Sequence, residues 1–306
     1  MPADTTAPAE IFERARPRLW GLAYRMLGSA ADADDAVQDT YLRWQAADLD
    51  HIDTPEAWLT TVCTRRAIDM LRAARRARTD YVGPWLPEPV IAPEAGAELE
   101  LAESLSTAFL LLLERLSPTE RAAYLLREVF DYAYADVAAS LNRSEAACRQ
   151  LVSRARRHVG HDRARFAPPP ERRQDLLESF LGAMQSGSVE NLATLLSEDA
   201  ELWSDGGGKV LAARNVIHGA NNVARFLHGV WQRVWAEQDV RRVAVNGGAG
   251  LLLGAHGTLE SVVTFGVAPD GRIGAIYVVR NPDKLPGPGL LAAAENLHLP
   301  AAREGT

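Results

Sequence analysis

The sequence predicts a multidomain chain in which two all-α modules, joined by a proline-rich linker, precede an α+β domain. Three observations predict it. Apolar residues recur at helical spacing up to about Val159, and β-rich segments separated by glycine turns take over beyond it. Prolines interrupt the pattern twice, at residues 81–93 and at Ala167-Pro168-Pro169-Pro170. A length of 306 residues with 47% apolar content suits two or three compact units with real cores. The divisions drawn from these features are 1–80, a linker over 81–103, 104–166, a second linker over 167–171, and 172–306.

The first helix carries Phe12, Leu19, Leu22, Ala23 and Met26 on one face, and Gly28 ends it as a C-cap glycine does. Ser29 or Asp32 opens the next helix, through Val37, Tyr41 and Trp44. Thr54-Pro55-Glu56 is an N-cap with proline in the first turn. The helix after it places Leu59, Val62, Cys63, Met70, Leu71 and Ala74 on one stripe and Arg65, Arg72 and Arg76 on the opposite one. Helices resume near Glu98, and Ser117-Pro118-Thr119-Glu120 is a second N-cap with proline. A short helix over 136–141, a turn at Asn142-Arg143 and a helix capped by Ser144 make a helix-turn-helix. Its second helix buries Cys148, Leu151, Val152, Ala155 and Val159. In the last domain, helices are expected over 174–185 and 222–235. Antiparallel strands are expected over 201–205, 240–245, 251–253, 259–267 and 273–279.

The net charge of −7 excludes a simple DNA-coating protein, so the pattern of charge matters more than its sum. Eight acids lie between Asp32 and Glu56 against the single Arg43, which suits a protein partner. Arg65, Arg66, Arg72, Arg75, Arg76 and Arg78 follow with only Asp69 among them, and Arg143, Arg149, Arg154, Arg156 and Arg157 form a second basic cluster, both suited to phosphates. The blander alternative for each cluster is a solvated charged face. Trp58 and Tyr81 are aromatics near enough to help hold separated bases, although for Trp58 itself the core is the favoured place. Arg149, Gln150 and Ser153 face outward near the start of the second helix of the helix-turn-helix, where Arg and Gln reach base edges. Arg143, Arg154 and Arg157 are better placed for phosphates. Cys63 and Cys148 show no metal-ligand spacing, no cofactor motif is present, no apolar run reaches the length of a membrane span, and the N-terminus lacks signal-peptide character. A reduced, cytoplasmic protein is expected.

The segments Asp32-Ala-Asp-Asp-Ala-Val-Gln-Asp-Thr-Tyr-Leu-Arg-Trp44, Pro55-Glu-Ala-Trp-Leu59 and Ile68-Asp-Met-Leu-Arg72 resemble region 2 of bacterial RNA polymerase sigma factors. Leu116-Ser-Pro-Thr-Glu-Arg121, Tyr134-Ala-Asp-Val-Ala138 and Ser153-Arg-Ala-Arg-Arg157 resemble sigma region 4. With no other sigma region between them, the pair resembles the extracytoplasmic-function group. The resemblance implies core RNA polymerase (β′ clamp and β subunits) and promoter DNA as partners. Asp32, Asp35, Asp39 and Trp44 would grip the clamp. Arg65, Arg66, Arg72, Arg75 and Arg76 would engage the −10 element and its melted strand, and the second helix of the helix-turn-helix would read the −35 element. Arg65 stands where many members have asparagine, and Asn142 where the turn usually has glycine.

Trp85-Leu86-Pro87-Glu88-Pro89, Asp205-Gly206-Gly207-Gly208-Lys209 and Asn281-Pro282-Asp283-Lys284-Leu285 resemble the subgroup with a SnoaL-like C-terminal extension, the sigma-J type. That implies a cone-shaped, ketosteroid-isomerase-like domain and control in cis, with no membrane association and no separate anti-sigma factor. Stiffening by proline lowers the entropy lost when an extended segment docks. The Trp85–Leu86 pair is therefore expected on or near the glycine turn that carries Lys209, with a Lys209–Glu88 ion pair worth at most about 1 kcal/mol. A plain hairpin turn is the alternative for residues 205–209, which lack the spacing of a phosphate-binding loop. His218, Asp205, Glu201 and Asp239 are the acid–base groups an enzymatic cone would use, but fold kinship does not transfer activity, and no catalytic residue is assigned. The alternative to a sigma factor is a stand-alone helix-turn-helix regulator with a ligand-sensing C-terminal domain.

Overall fold

A computed structural model describes residues 6–92, 105–163 and 170–285, with the side chains of 161–174 left aside. The helix expected near Glu98 begins outside these residues, as do Ala167, Pro168 and Pro169 of the second linker. By packing, the chain forms two compact units: Met1–Asp80 with Leu112–His161, and Tyr81–Leu111 with Asp162–Thr306. These units are not the linear divisions of the sequence, because the linker packs with the C-terminal domain.

The first unit is all-helical. Helix α1 (Thr6–Leu27) ends where Gly28, at φ 69°, donates its N–H to the Tyr24 carbonyl. Helix α2 (Ala30–Gln45) opens with the Ser29 side chain accepting from the Asp32 N–H, and α3 (Pro55–Ala77) with proline in its first turn. Their apolar stripes meet through Leu19, Leu22 and Met26 of α1, Ala33 and Val37 of α2, and Leu59, Cys63 and Leu71 of α3, all buried. Helix α4 (Thr107–Glu114), which enters this unit at Leu112, leads to α5 (Pro118–Tyr124), where Ser117 and Glu120 form a reciprocal capping box. The helix-turn-helix is α6 (Tyr134–Leu141) and α7 (Glu145–Arg163). Asn142 closes α6 in the left-handed region at φ 51°, a conformation asparagine accepts more readily than most residues, so the turn does without glycine. Cys148, Val152, Ala155 and Val159 are the buried stripe of α7.

The second unit packs helices α8 (Pro170–Ser186), α9 (Val189–Leu195) and α10 (Ala220–Val230) on a seven-stranded sheet. Its strands are β1 (Ile91–Ala92), β2 (Leu196–Asp205), β3 (Ile217–His218), β4 (Asp239–Val245), β5 (Gly248–Ala255), β6 (Thr258–Val267) and β7 (Ile273–Val279), in the order β1-β4-β5-β6-β7-β2-β3. The expectation of purely antiparallel strands needs correction: β2 pairs with β7 in parallel, since the chain between them first builds the β4–β6 meander. Register shifts at Leu253/Gly254 and Gly266/Val267 mark bulges that bend the sheet. Strand β7 is buried on both faces, so its side chains divide with the two-residue period. Ile276 and Val278 join Phe180, Leu227 and Trp235 under the helices, while Ala275, Tyr277 and Val279 join Leu86 and Ala108 on the other face.

Candidate functional site

The acidic block falls on α2, whose inner face (Ala33, Ala36, Val37, Thr40, Trp44) is buried. That leaves Asp34 and Asp35 outward, together with Leu42, 54% exposed. Asp32 is half-buried within the first turn. Trp44 is 2% exposed, donates its indole N–H to the Pro8 carbonyl at 2.9 Å and packs on Trp58. The expectation that Trp44 meets a partner is thereby corrected: it shapes α2 from inside. Asp39 sits 2.6 Å from Arg66 Nε, a charge contact without hydrogen-bond alignment.

The arginines of α3 do not form one free stripe, because the rest of the first unit uses several of them. Arg65 donates from Nε to the Ser140 carbonyl at 2.9 Å and from Nη2 to the Ala139 carbonyl at 3.0 Å, satisfying the end of α6. Arg75 donates to the Glu114 carbonyl at 2.9 Å, and its guanidinium lies 3.7 Å from the Glu114 carboxylate, with Arg78 at 3.4 Å. Arg72 pairs with Asp69, and Arg72 and Arg76 remain exposed. Tyr81 belongs to the second unit, where its hydroxyl donates to Asp205.

The same Glu114 lies 2.9 Å from Arg121, which is 1% exposed and also donates to the Leu113 and Met26 carbonyls. Desolvation pulls the Arg121 pKa down to about 10 despite the pairing. Burial resists ionisation of Glu114, but Arg121, Arg78 and Arg75 together outweigh it and hold the carboxyl below its usual range.

Arg143 in the turn and Arg149, Gln150, Ser153, Arg154 and Arg157 on α7 are all exposed. Arg149 pairs with Glu145 at 2.6 Å and lies over the Tyr134 ring, which fixes its direction one turn into the helix. Arg154 pairs with Glu120 at 3.1 Å, and Arg156 forks onto Glu128 at 2.9 and 3.0 Å.

The three motifs of the sigma-J resemblance converge in the second unit on one buried carboxylate. Asp205, 0% exposed at the end of β2, accepts from the Tyr81 hydroxyl at 2.5 Å, the Gly207 N–H at 3.0 Å, the Leu86 N–H at 2.8 Å and Lys284 Nζ at 2.6 Å. Lys284 also donates to the Leu86 carbonyl and lies 4.3 Å from the centre of the Trp85 ring. Asn281 is buried, and its side chain donates to the Tyr81 hydroxyl at 3.0 Å. Gly207 and Gly208 hold positive φ, and a Cβ on Gly207 would collide with the Asn281 amide. A Cβ on Gly206 would stand 2.6 Å from the Val210 carbonyl, so Gly206 serves a close backbone approach, while the positive φ of Gly208 is what favours glycine there. Pro87 and Pro89 are buried and Glu88 is half-buried, while Pro282 is exposed. The expected Lys209–Glu88 pair is corrected: Lys209 holds Asp283 at 2.6 Å, a partner two residues past Asn281. Tyr81 and Lys284 as partners of Asp205 escaped sequence reasoning, which had no means of pairing groups so far apart in the chain.

The match to the Sigma-70 region 2 family covers residues 11–77, and that to Sigma-70, region 4 covers residues 106–159. The chain is 37% identical over 289 residues to the ECF RNA polymerase sigma factor SigJ of Mycobacterium tuberculosis, spanning 90% of this chain and 92% of that one. It is 28% identical to the probable ECF RNA polymerase sigma factor SigI of the same organism, spanning 88% and 92%. The crystal structure of the M. tuberculosis extracytoplasmic function sigma factor SigJ superposes with a TM-score of 0.73 at 33% identity, covering 90% of this chain and 97% of that one.

Proposed function

Because the chain belongs to the extracytoplasmic-function RNA polymerase sigma factors, initiation factors that bind core polymerase and direct promoter-specific transcription, we propose which of its surfaces carry each task and that its C-terminal domain controls them in cis. Family membership sets aside the stand-alone regulator. It also makes the SnoaL-like α+β domain part of a transcription factor rather than of an enzyme. Such factors work where the polymerase is, which for this chain is the cytoplasm. Among the described residues no helix is long and apolar enough to cross a membrane.

The polymerase-facing surface is the exposed side of α2, which carries Asp34 and Asp35 toward its N-terminal end and an apolar foothold at Leu42 toward its C-terminal end. Asp32 and Asp39 add negative field at its edge. Arg72 and Arg76 meet the −10 backbone directly. Arg65, Arg66 and Arg75 join them only after giving up their partners within the first unit, so engagement of the −10 DNA requires α3 to part from α4 and α6. On α7, Arg149, Gln150 and Ser153 read −35 bases, while Arg154 and Arg157 with Arg143 of the turn hold phosphates. The observation that carries control in cis is the seating of the Trp85–Pro89 linker on Asp205 and Lys284. This linker separates regions 2 and 4 in sequence, so fixing it to the C-terminal domain restricts how far the two promoter readers can spread. A separate anti-sigma partner is then dispensable.

Asp35→Arg should abolish co-elution with core polymerase while the circular dichroism spectrum stays helical. Retained polymerase affinity would remove the α2 surface from the interface. In transcription with purified polymerase, Arg149→Ala should lose about 1–3 kcal/mol of discrimination between matched and mismatched −35 elements. Arg72→Ala and Arg76→Ala should instead weaken all promoters alike and flatten the salt dependence. Equal loss on matched and mismatched −35 DNA would reassign Arg149 to the backbone.

A further inference from the structure

The second unit encloses a cavity of about 450 Å³ between α10, the turn that follows it, and strands β2 and β7. Phe226, Val230, Val234 and Val278 give it an apolar wall. Apart from the Ser204 hydroxyl, every polar side chain on that wall is a pure donor: Arg225, Arg233, Arg280 and the Trp235 indole. Among the described residues that line it there is no Asp, Glu or His.

Two of these side chains keep a buried N–H without an acceptor among the described residues. Trp235 is 3% exposed, and its indole N–H has no hydrogen-bond partner among the described residues. Arg280 donates from Nη1 to the Leu211 carbonyl at 2.6 Å, yet its buried Nε–H is left without an acceptor. Among the described residues no carboxylate pairs with Arg225, Arg233 or Arg280. A buried donor without an acceptor is unfavourable, and three guanidiniums around one cavity repel each other. Residues Trp231–Trp235 form a single π-helical turn, which carries both Arg233 and Trp235 on this wall. Such turns are weaker than the α-helix and recur at functional sites.

We infer that this cavity binds an amphipathic anion, with a carboxylate toward the arginines and an aliphatic body along the apolar wall. A carboxylate brings acceptors only, matches a guanidinium in two parallel bonds, and supplies the missing charge. The volume suits a small-molecule ligand rather than a peptide or a macromolecule.

Isothermal titration of the full chain with sodium decanoate, against 1-decanol and decyltrimethylammonium of equal chain length, tests this. Decanoate should bind at one site per chain and raise the melting temperature, and the neutral and cationic probes should bind at least about tenfold more weakly. Arg233→Gln, at an exposed position where folding is not at stake, should weaken decanoate by about tenfold, as should Arg280→Gln. Trp235→Phe, which keeps the ring and deletes the N–H, should weaken it to a smaller extent. If Arg280→Gln fails to fold, the Arg233 variant decides. No decanoate binding, binding no tighter than that of 1-decanol, or binding indifferent to Arg233→Gln would each overturn the assignment.

Discussion

Glu114→Ala should lower the stability of the helical unit by about 3–5 kcal/mol, the usual cost of removing one partner from a buried ion pair. The size follows from Arg121, which is 1% exposed and would be left charged with no carboxylate beside it, while Arg75 and Arg78 lose their common anion. Urea denaturation followed by circular dichroism checks it. Converting both members, as in Glu114→Leu with Arg121→Met, should recover part of the loss, since two apolar groups leave no uncompensated charge. A double variant less stable than Glu114→Ala would show that the carbonyl contacts of Arg121 dominate. The pH dependence has a definite sign. Glu114 is held below its ordinary value of 4.5, so the unfolded chain binds its proton first as pH falls. Its contribution is complete above that ordinary value and is lost as pH drops through the lowered folded value. The stability gap between the natural chain and Glu114→Gln should therefore close on acidification. Because Arg75 comes from α3, Arg78 from the residue that caps it and Glu114 from α4, weakening this cluster should also ease the release of Arg75 for the −10 DNA.

Asp205→Ala should have the second large effect, again about 3–5 kcal/mol, because it strands Lys284 and removes the acceptor of the Tyr81 hydroxyl and of the Leu86 and Gly207 amides together. Native-state hydrogen exchange should show the Leu86 amide exchanging faster. The Val90 amide, held separately by the Asn246 side chain, should change less. Promoter output should change while polymerase affinity is retained. Lys209→Ala is the contrasting control: the Lys209–Asp283 pair is more than half exposed on both sides, so its loss should cost no more than about 1 kcal/mol. Unaltered exchange at Leu86 in Asp205→Ala would mean that the linker is held by packing alone, and the node would lose its proposed role.

The sequence by itself determined the two helical modules, the α+β character of the third, and the family, because these rest on local chemistry. Gly28 ends α1, Ser117 and Glu120 cap α5, Asn142 turns the chain between α6 and α7, and each helix shows its buried stripe in its own spacing. Acidic α2 followed by arginine-rich α3 was equally plain, since charge is written residue by residue. Which arginines stay free was decided only in three dimensions. Arg65 and Arg76 look alike in a helical pattern, yet Arg65 is spent on the last carbonyls of α6, whose position depends on packing across 75 residues of chain. Trp44 likewise reads as an exposed aromatic or a core one until Pro8 and Trp58 are placed around it. The parallel pairing of β2 with β7, the choice of Asp283 over Glu88 for Lys209, and the donor-lined cavity share that cause. Each joins groups distant in sequence, and a polar group can pair only with the acceptors or donors that tertiary packing brings within reach.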